Sequence, residues 1–413
     1  MAQMRERGPL IYLIAGEPSG DLLGRRLMNA LKSETAGAVR FVGLGGAQMQ
    51  AEGLDSLFPI DELAVMGLFE VVPHIRRLLR RIDETVADAI AAKPDALVTI
   101  DAPAFSLRVS RRLTGRGITL IHYVAPSVWA WKPGRARKIA HFLDHLMALL
   151  PFEPPYFETH GLVTSFVGYP AIEEAGRKTD PKGFRKRHGI AAGAPAICAL
   201  PGSRVGEVRR HAGLFAGTLA RLAARHDGLT AIVPTLPSLR ALIETVVRDW
   251  PVPTIIVNPE EKYDAFAAAN VALAASGTVS VELAVAKVPC VVTYRLNWLT
   301  ALIAGMLLKT KYVSPVNIVL GRPAQPEYLQ HRATPASLEQ AISAYLGNQD
   351  ACHAQAADCA EALTQMGLGG EKPSTRAARA ILAAIDAGRA GQSPYTAARA
   401  GGQRRANPSN RRK

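Results

Sequence analysis

The chain has 413 residues, with 49 Lys or Arg against 35 Asp or Glu, so its formal net charge is +14. That length predicts two or three domains at about 150 residues each. Four widely spaced cysteines without a C-x-x-C pair argue against a disulfide-rich secreted protein and against a zinc site. Cys198 and Cys290 lie in apolar runs and are predicted to be buried free thiols.

Short apolar runs alternate with amphipathic stretches of helix length, such as 21–32, 73–92 and 105–114. Buried parallel strands covered by helices on both faces give this pattern. The first run follows Arg5 and Arg7 but is too short for a signal peptide, so we expect a first strand and a cytoplasmic protein. The predicted strands are 10–15, 41–44, 97–100, 119–123, 145–150 and 164–167, and then 196–200, 231–233, 254–257, 271–275 and 289–294.

The strand pattern restarts after a basic link at 176–189, which predicts two doubly wound Rossmann-like α/β domains. We divide the chain into 1–175, 176–345, C-terminal helices over 346–387 and a tail over 388–413. Ligands of such folds bind at the carboxyl ends of the strands. The site is therefore expected in the cleft between the two halves.

The turn after the first strand contains Glu17, and Ser19 or Asp21 is expected to cap the following helix. A plain strand–turn–helix accounts for everything except the acidic Glu17. Asp101 ends the third apolar run, where a carboxylate can accept a proton from a substrate hydroxyl. The alternative for Asp101 is a cap of the next helix.

The string from His122 to Trp131 combines a histidine at a strand end with Trp129 and Trp131. Aromatic planes and a histidine in this position suit a sugar or acyl substrate, while core packing of the tryptophans is the alternative. His141 and His145 are four residues apart, which indicates one helix face and not a metal site.

In the second half, the turn 200–204 places Gly202, Ser203 and Arg204 after a strand, with donors suited to phosphate. The turn 275–278 offers Ser276, Gly277 and Thr278, and Glu282 follows one helical turn later, placed for ribose hydroxyls. Together these loops indicate a nucleotide diphosphate donor. No Asp-x-Asp occurs, so we expect no metal and no other cofactor.

The segment 66–81 places Leu68, Val72, Ile75 and Leu79 on one helical face and four arginines on the other. An ordinary core-facing helix explains this arrangement. The alternative is an interfacial helix that meets anionic lipid, with Met66, Leu68 and Phe69 guiding acyl chains.

These strings in this order resemble the lipid-A-disaccharide synthase family, glycosyltransferase family 19, over residues from about 10 to about 385. The fold implied is GT-B, two Rossmann-like domains facing a central cleft. The motifs that carry the resemblance are 16–21, 64–67, 100–103, 122–131, 200–204, 275–278 with Glu282, and 311–314.

The resemblance implies an inverting transfer from UDP-2,3-diacylglucosamine to the 6-hydroxyl of 2,3-diacylglucosamine 1-phosphate. The products are a β-1,6-linked lipid A disaccharide 1-phosphate and UDP. It implies Asp101 as the base, with Glu17, Ser19 and His122 shaping the acceptor side. Further substrate contacts are implied at Met66, Phe69, Arg204, Ser276, Gly277, Thr278, Glu282, Asn317, Glu327 and Gln330.

The family also implies a homodimer with exchanged C-terminal parts, associated peripherally with the anionic cytoplasmic face of the inner membrane. Pro18 departs from the family's usual Ala, and Val316 is an extra residue before Asn317, which makes the placement of Asn317 less certain. The tail after residue 388 has no counterpart in the family.

Two other hypotheses stay open. A UDP-GlcNAc 2-epimerase or another UDP-sugar transferase would share the nucleotide loops without needing an acyl-handling surface. A nucleic-acid-binding protein would use the tail 388–413, which carries +7 and no acid. We expect that tail to be disordered, and the rest of the chain holds no nucleic-acid motif.

Overall fold

A computed structural model describes residues 8–64, 71–131, 134–275, 277–297 and 310–391. The chain divides into two compact units. Unit 1 comprises Met1–Pro170 and Gly370–Lys413, and unit 2 comprises Ala171–Gly369. Each unit contains its own sheet and its own buried core.

Unit 1 is organised around a sheet that has six strands in the described part of the chain, in the order β2-β1-β3-β4-β5-β6. Every neighbouring pair is parallel. Continuous apolar stretches form these strands because both faces of the sheet are covered. The strands are β1 Leu10–Ala15, β2 Arg40–Leu44, β3 Ala96–Ile100, β4 Thr119–Tyr123, β5 His145–Ala148 and β6 Val163–Phe166.

Helices cover both faces of this sheet. Leu23 and Leu27 of α1 lie in the core on one face, while Ile82 of α4 and Phe105 of α5 lie in the core on the other. The helices are α1 Pro18–Glu34, α2 Ala47–Gln50, α3 Asp61–Ala64, α4 Val71–Ala92, α5 Pro103–Arg112, α6 Gly134–Ala140 and α7 Pro155–Glu158.

Unit 2 repeats the plan, with six parallel strands in its described residues in the order β12-β11-β10-β7-β8-β9. The strands are β7 Ala196–Leu200, β8 Thr230–Pro234, β9 Thr254–Val257, β10 Val271–Ala275, β11 Cys290–Tyr294 and β12 Glu327–Leu329. Cys198 and Cys290 are buried free thiols, as predicted, and burial raises the pKa of both.

The helices of unit 2 also lie on both faces of its sheet. Leu214 and Phe215 of α9 share one core with Leu338 and Ile342 of α14. The helices are α8 Pro181–Arg187, α9 Val205–Ala223, α10 Arg240–Val247, α11 Lys262–Ala268, α12 Val279–Val285, α13 Pro315–Leu320, α14 Pro335–Leu346 and α15 Gln349–Gln365.

The last helix, α16 Pro373–Arg389, returns to unit 1, whereas α15 stays with unit 2. Ile381 and Ile385 of α16 enter the core beside α1, and Arg379 pairs with Glu34 at 2.8 Å. The predicted segment of C-terminal helices, 346–387, is thus divided between the two units.

The expectation of disorder from residue 388 was wrong at its first residues. Helix α16 continues to Arg389, whose guanidinium pairs with Asp95 at 2.7 Å. The rest of the expected tail, 392–413, lies outside the described residues.

Helix α4 faces the core of unit 1. Leu78 and Ile82 are buried, while Leu79 is exposed. Arg77 and Arg81 pair with Glu62, each at 2.7 Å. This part of the helix faces the core through Leu78 and Ile82, and the expectation that Leu79 lies on the core-facing side was wrong.

In the part of the chain that the structure describes, no helix is both long enough and apolar enough to span a bilayer.

Asp21 is a cap, but not of its own helix. The residue before α1 is Glu17, and the buried Asp21 carboxylate instead accepts hydrogen bonds from the amides of Gly46, Gln48 and Met49, at 2.8, 2.9 and 3.0 Å. It therefore satisfies the free N–H groups at the start of α2 and ties the turn after β2 to α1. The expected cap of α1 by Ser19 or Asp21 was wrong.

Replacing Asp21 by Ala leaves three amides without this acceptor, so we expect the free energy of unfolding to fall by about 1–2 kcal/mol. Ser19→Ala is the matched control because Ser19 is exposed, and its effect should stay within about 0.5 kcal/mol. Urea titration of both variants measures the difference. A larger loss for Ser19→Ala than for Asp21→Ala would contradict this assignment.

Candidate functional site

Parallel pairing brings the carboxyl ends of the strands of unit 1 to one edge of its sheet. Ala15 of β1 pairs with Ile100 of β3, and Thr99 pairs with His122 of β4. Glu17 and Asp101, which follow β1 and β3, are therefore neighbours at this edge. The structure thus brings together the three residues predicted to be catalytic in unit 1.

Asp101 and Ala102 have left-handed backbone conformations, with φ of +49° and +45°. Such a conformation costs a residue with a side chain about 1–2 kcal/mol, and strain of this kind concentrates at functional sites. The Asp101 amide donates to the carbonyl of Tyr123 at 2.9 Å. The N-cap position of α5 belongs to Ala102 and not to Asp101. The chain thus turns sharply at Asp101, directly after β3.

The turn after β1 lies against this strained segment. A Cβ added at Gly16 would lie 2.8 Å from the Cβ of Ala102, so glycine is needed for the two turns to lie side by side. Glu17 precedes α1 in an extended conformation, and Ser19 is exposed in the first turn of that helix. The acid and the hydroxyl predicted for the acceptor side therefore lie beside Asp101's loop.

His122 differs from the other two because it is completely buried. Its Nδ1 lies 2.7 Å from the hydroxyl of Thr99, while its Nε2 is buried without a hydrogen-bond partner among the described residues. Burial, reinforced by the positive charge of Arg135, lowers the pKa of His122 to about 3. The imidazole is therefore neutral at physiological pH, and its catalytic role stays a prediction.

The two tryptophans after β4 have different environments. Trp129 packs edge-on against Phe152 at 5.2 Å between ring centroids, and its indole N–H donates to Glu153 at 3.1 Å. Trp129 thus matches the packing alternative, whereas Trp131 is exposed.

Glu153 is the buried anchor of the loop that contains Trp129. Its second carboxylate oxygen accepts from the amides of Leu149 and Leu150 at 3.1 and 3.0 Å. Burial raises its pKa to about 7, against the effect of these hydrogen bonds. Glu153 was not predicted as a functional residue, although an acid after the apolar run of β5 was a signal.

In unit 2, Glu207 organises the turn after β7. One carboxylate oxygen accepts from the Ser203 amide at 2.9 Å, and the other accepts from the Tyr294 hydroxyl at 3.0 Å and lies 3.7 Å from the Arg204 guanidinium. A Cβ at Gly202, where φ is +143°, would lie 2.4 Å from the Cβ of Glu207, so only glycine fits there. Arg204 is exposed at this edge.

His211 ties that turn to the end of β11. Its Nδ1 donates to the carbonyl of Pro201 at 2.8 Å, and its Nε2 accepts from the amide of Arg295 at 3.0 Å. This pattern requires the neutral ring with the proton on Nδ1, and burial lowers the pKa of His211 accordingly. Its position four residues after Glu207 on α9 was the signal that the sequence offered.

The turn after β10 lies at the same edge of unit 2, because β10 pairs with both β7 and β11. Gly277 has φ of +147°, and Thr278 is exposed before α12. Glu282, predicted to bind ribose hydroxyls, receives a hydrogen bond from Lys262 at 2.8 Å. Lys262 is therefore a further residue at this edge, and it was not predicted from the sequence. Ser276 lies outside the described residues.

Asn317 and Glu327 form an internal network. Asn317 is buried, and its amide donates to the Glu327 carboxylate and to the carbonyl of Gln325, both at 2.7 Å. Glu327 also accepts from the Ser314 amide at 2.9 Å, while burial raises its pKa. A direct substrate contact of Asn317 would require this network to open, so that contact stays a prediction. Val316, the additional residue, is itself buried.

Gln330, at the end of β12, joins the edge near β11. It has φ of +52°, and its side-chain oxygen accepts from the Leu296 amide at 3.3 Å. Gln330 thus lies with the loops of Arg204 and Thr278 at the carboxyl edge of unit 2. Met66 and Phe69 lie outside the described residues.

Among the described residues, no group of three or more His, Cys, Asp or Glu side chains could hold a metal ion.

The profile of the lipid-A-disaccharide synthetase family matches residues 11–382. A lipid-A-disaccharide synthase of Rhodospirillum centenum is 48% identical over 93% of this chain and 98% of its own length. The chain belongs to the lipid-A-disaccharide synthetase family. A relative with the same name from Paramagnetospirillum magneticum is also 48% identical, over 92% of this chain and 98% of that one. The predicted family resemblance is thus confirmed.

Solved structures similar to this member of the lipid-A-disaccharide synthetase family share its fold. A UDP-GlcNAc 2-epimerase of Neisseria meningitidis bound to UDP-GlcNAc has a TM-score of 0.60 at 10% identity, covering 91% of this chain and 99% of that one. A spinosyn rhamnosyltransferase complexed with thymidine diphosphate has a TM-score of 0.55 at 14% identity, covering 91% of this chain and 100% of that one. These likenesses confirm the predicted GT-B fold and, at such low identity, nothing further.

Replacing Ala102 by Gly should remove the cost of its left-handed backbone and raise the free energy of unfolding by about 1 kcal/mol. Ala104→Gly, two residues later and exposed in α5, should lower it by roughly 0.5–1 kcal/mol. Thermal and urea unfolding of the two variants give the sign of each change in the free energy of unfolding. Destabilisation by both substitutions would show that Ala102 is not strained.

Proposed function

We propose that this chain transfers the sugar of UDP-2,3-diacylglucosamine to the 6-hydroxyl of 2,3-diacylglucosamine 1-phosphate. The products are the β-1,6-linked lipid A disaccharide 1-phosphate and UDP. The observation that carries the proposal is 48% identity, over nearly the whole chain, to relatives named lipid-A-disaccharide synthase. The 2-epimerases are similar at the level of fold alone, so they do not favour the alternative activity.

The donor nucleotide is assigned to the carboxyl edge of unit 2. Glu207 accepts from the Ser203 amide and His211 donates to the Pro201 carbonyl, so both side chains hold the turn of Arg204. A preorganised turn with an exposed guanidinium is suited to a diphosphate. Thr278 and Glu282 lie at the same edge, where the Lys262 side chain keeps the Glu282 carboxylate in place.

The acceptor hydroxyl is assigned to the carboxyl edge of unit 1. The Asp101 carboxylate takes the proton of the 6-hydroxyl while that oxygen attacks the anomeric carbon and the bond to UDP breaks. The bond electrons leave with UDP, whose charge Arg204 and backbone amides stabilise. A single displacement of this kind inverts the anomeric carbon and needs one base. His122 lies in the neighbouring strand, β4, and is neutral. It therefore adds no positive charge that would make the Asp101 carboxylate a weaker base.

We also propose that the reaction needs no metal and that the protein associates peripherally with the anionic cytoplasmic face of the inner membrane. The absence of Asp-x-Asp and the guanidinium of Arg204 support the first point. The apolar segment 65–70, followed by exposed Arg76 and Arg80 on α4, supports the second. A homodimer stays a proposal drawn from the family.

Asp101→Asn removes the base but keeps the side-chain shape, so turnover should fall by about 10²–10⁴-fold, while the Kd for UDP stays within twofold. Thin-layer separation of the disaccharide and UDP, with EDTA present, measures turnover, and calorimetry measures UDP binding. Asp61→Asn, at an exposed aspartate of α3, is the control. If Asp101→Asn kept activity within a few-fold of wild type, the assignment of Asp101 as the base would be contradicted.

The double substitution Leu68→Ser and Phe69→Ser should shift the protein from the membrane fraction to the supernatant, since it removes apolar side chains that would enter the bilayer. Sedimentation with vesicles containing anionic lipid measures the bound fraction. Leu57→Ser, at an exposed leucine of the same unit, controls for general loss of surface apolarity. Equal binding of wild type and the double variant would reject the proposed membrane contact.

A further inference from the structure

Arg135 lies beside the loop that follows β4. Its helix neighbours Ala136 and Ile139 pack in the same core cluster as Ala125 and Val128 of that loop. Arg135 is the second residue of α6, the helix that follows this loop, and β4 pairs with β3, the strand that precedes Asp101. No motif in the sequence indicates a role for this residue.

The guanidinium of Arg135 is half-buried, and this burial lowers its pKa. Burial lowers the pKa of the fully buried His122, and the positive charge of Arg135 lowers it further. A partly desolvated guanidinium needs hydrogen-bond acceptors to compensate for the water it has lost.

Other arginines that are partly shielded from solvent have such acceptors. Arg185, whose pKa burial also lowers, donates to the carbonyls of Ala268 and Ala194 at 2.7 and 2.9 Å. Arg81 pairs with Glu62 at 2.7 Å and also with Glu84. For Arg135, no carboxylate or carbonyl acceptor is found among the residues that the structure describes. Within that part of the chain, its donors therefore remain for a ligand.

The buried Nε2 of His122 is a second polar group at this place without a partner in the described part of the chain. Because His122 is neutral, the cationic group of this pair is Arg135. A planar guanidinium that is partly shielded from water binds phosphate oxygens in bidentate fashion. An anion at this position would be bound by unit 1, the unit that contains Asp101.

We propose that Arg135 binds a substrate phosphate, and that this is the 1-phosphate of the acceptor. The inference rests on the proposed function, since it names a further contact of the same reaction. The donor diphosphate is the other source of phosphate chemistry, but the nucleotide loops belong to unit 2. Arg135 is therefore a specificity-determining residue that selects acceptors carrying a phosphate.

The test compares 2,3-diacylglucosamine 1-phosphate with 2,3-diacylglucosamine as acceptors of the full-length protein. Wild type should lose at least about 30-fold in kcat/KM when the phosphate is absent. Arg135→Ala should raise the KM for the phosphorylated acceptor at least about tenfold and leave the KM for the UDP-sugar unchanged. Its preference for the phosphate should fall below about threefold. Arg135→Lys should restore part of that preference, because it keeps the charge but not the bidentate geometry.

Arg137→Ala, at an exposed position of the same helix, is the matched control and should behave as wild type. Unchanged UDP binding shows that each variant is folded; if Arg135→Ala fails this check, Arg135→Lys and Arg135→Gln carry the comparison. Equal losses on both acceptors would overturn the proposal, and a raised KM for the UDP-sugar alone would assign Arg135 to the donor. Failure of the proposed function has a different signature, because wild type would then form no disaccharide at all.

Discussion

Parallel strand pairing is the constraint on which the rest of this structure depends. It places the carboxyl ends of all strands of a sheet at the same edge, where the chain must turn sharply to enter the next helix. In unit 1 the turns at Asp101 and Val124 take positive φ angles that side chains disfavour, and in unit 2 Gly202 and Gly277 do the same. Polar side chains far apart in sequence are thereby gathered at one edge of each sheet, which is where folds of this kind bind ligands.

The two edges are stabilised differently. In unit 2, Glu207 and His211 hold the turn of Arg204 through hydrogen bonds to Ser203, Tyr294 and Arg295. In unit 1, Glu153 holds the loop of Trp129, while the turn that contains Asp101 has a strained, left-handed backbone. Donors held in place suit a leaving group whose charge appears during the reaction.

Much of this could be predicted from the sequence, because continuous apolar runs identify buried parallel strands and turns after them identify the edges. Strand β12 was missed since its three residues, Glu327–Leu329, show no apolar run. The role of Asp21 was missed because its partners, such as Gly46, belong to another turn. Arg135 could not be recognised because sequence does not show that a guanidinium lacks an acceptor. The internal hydrogen bonds of Asn317 depend on contacts with Gln325 that spacing does not reveal.

The stereochemistry of the new glycosidic bond tests most directly whether the sugar is transferred in a single displacement, the reaction for which Asp101 is proposed as the one base. Proton NMR of the product gives the anomeric coupling constant, and mass spectrometry of the protein incubated with the UDP-sugar alone detects any covalent intermediate. A single displacement predicts a β linkage and an unmodified protein. An α linkage, or a protein heavier by one diacylglucosaminyl group, would contradict it.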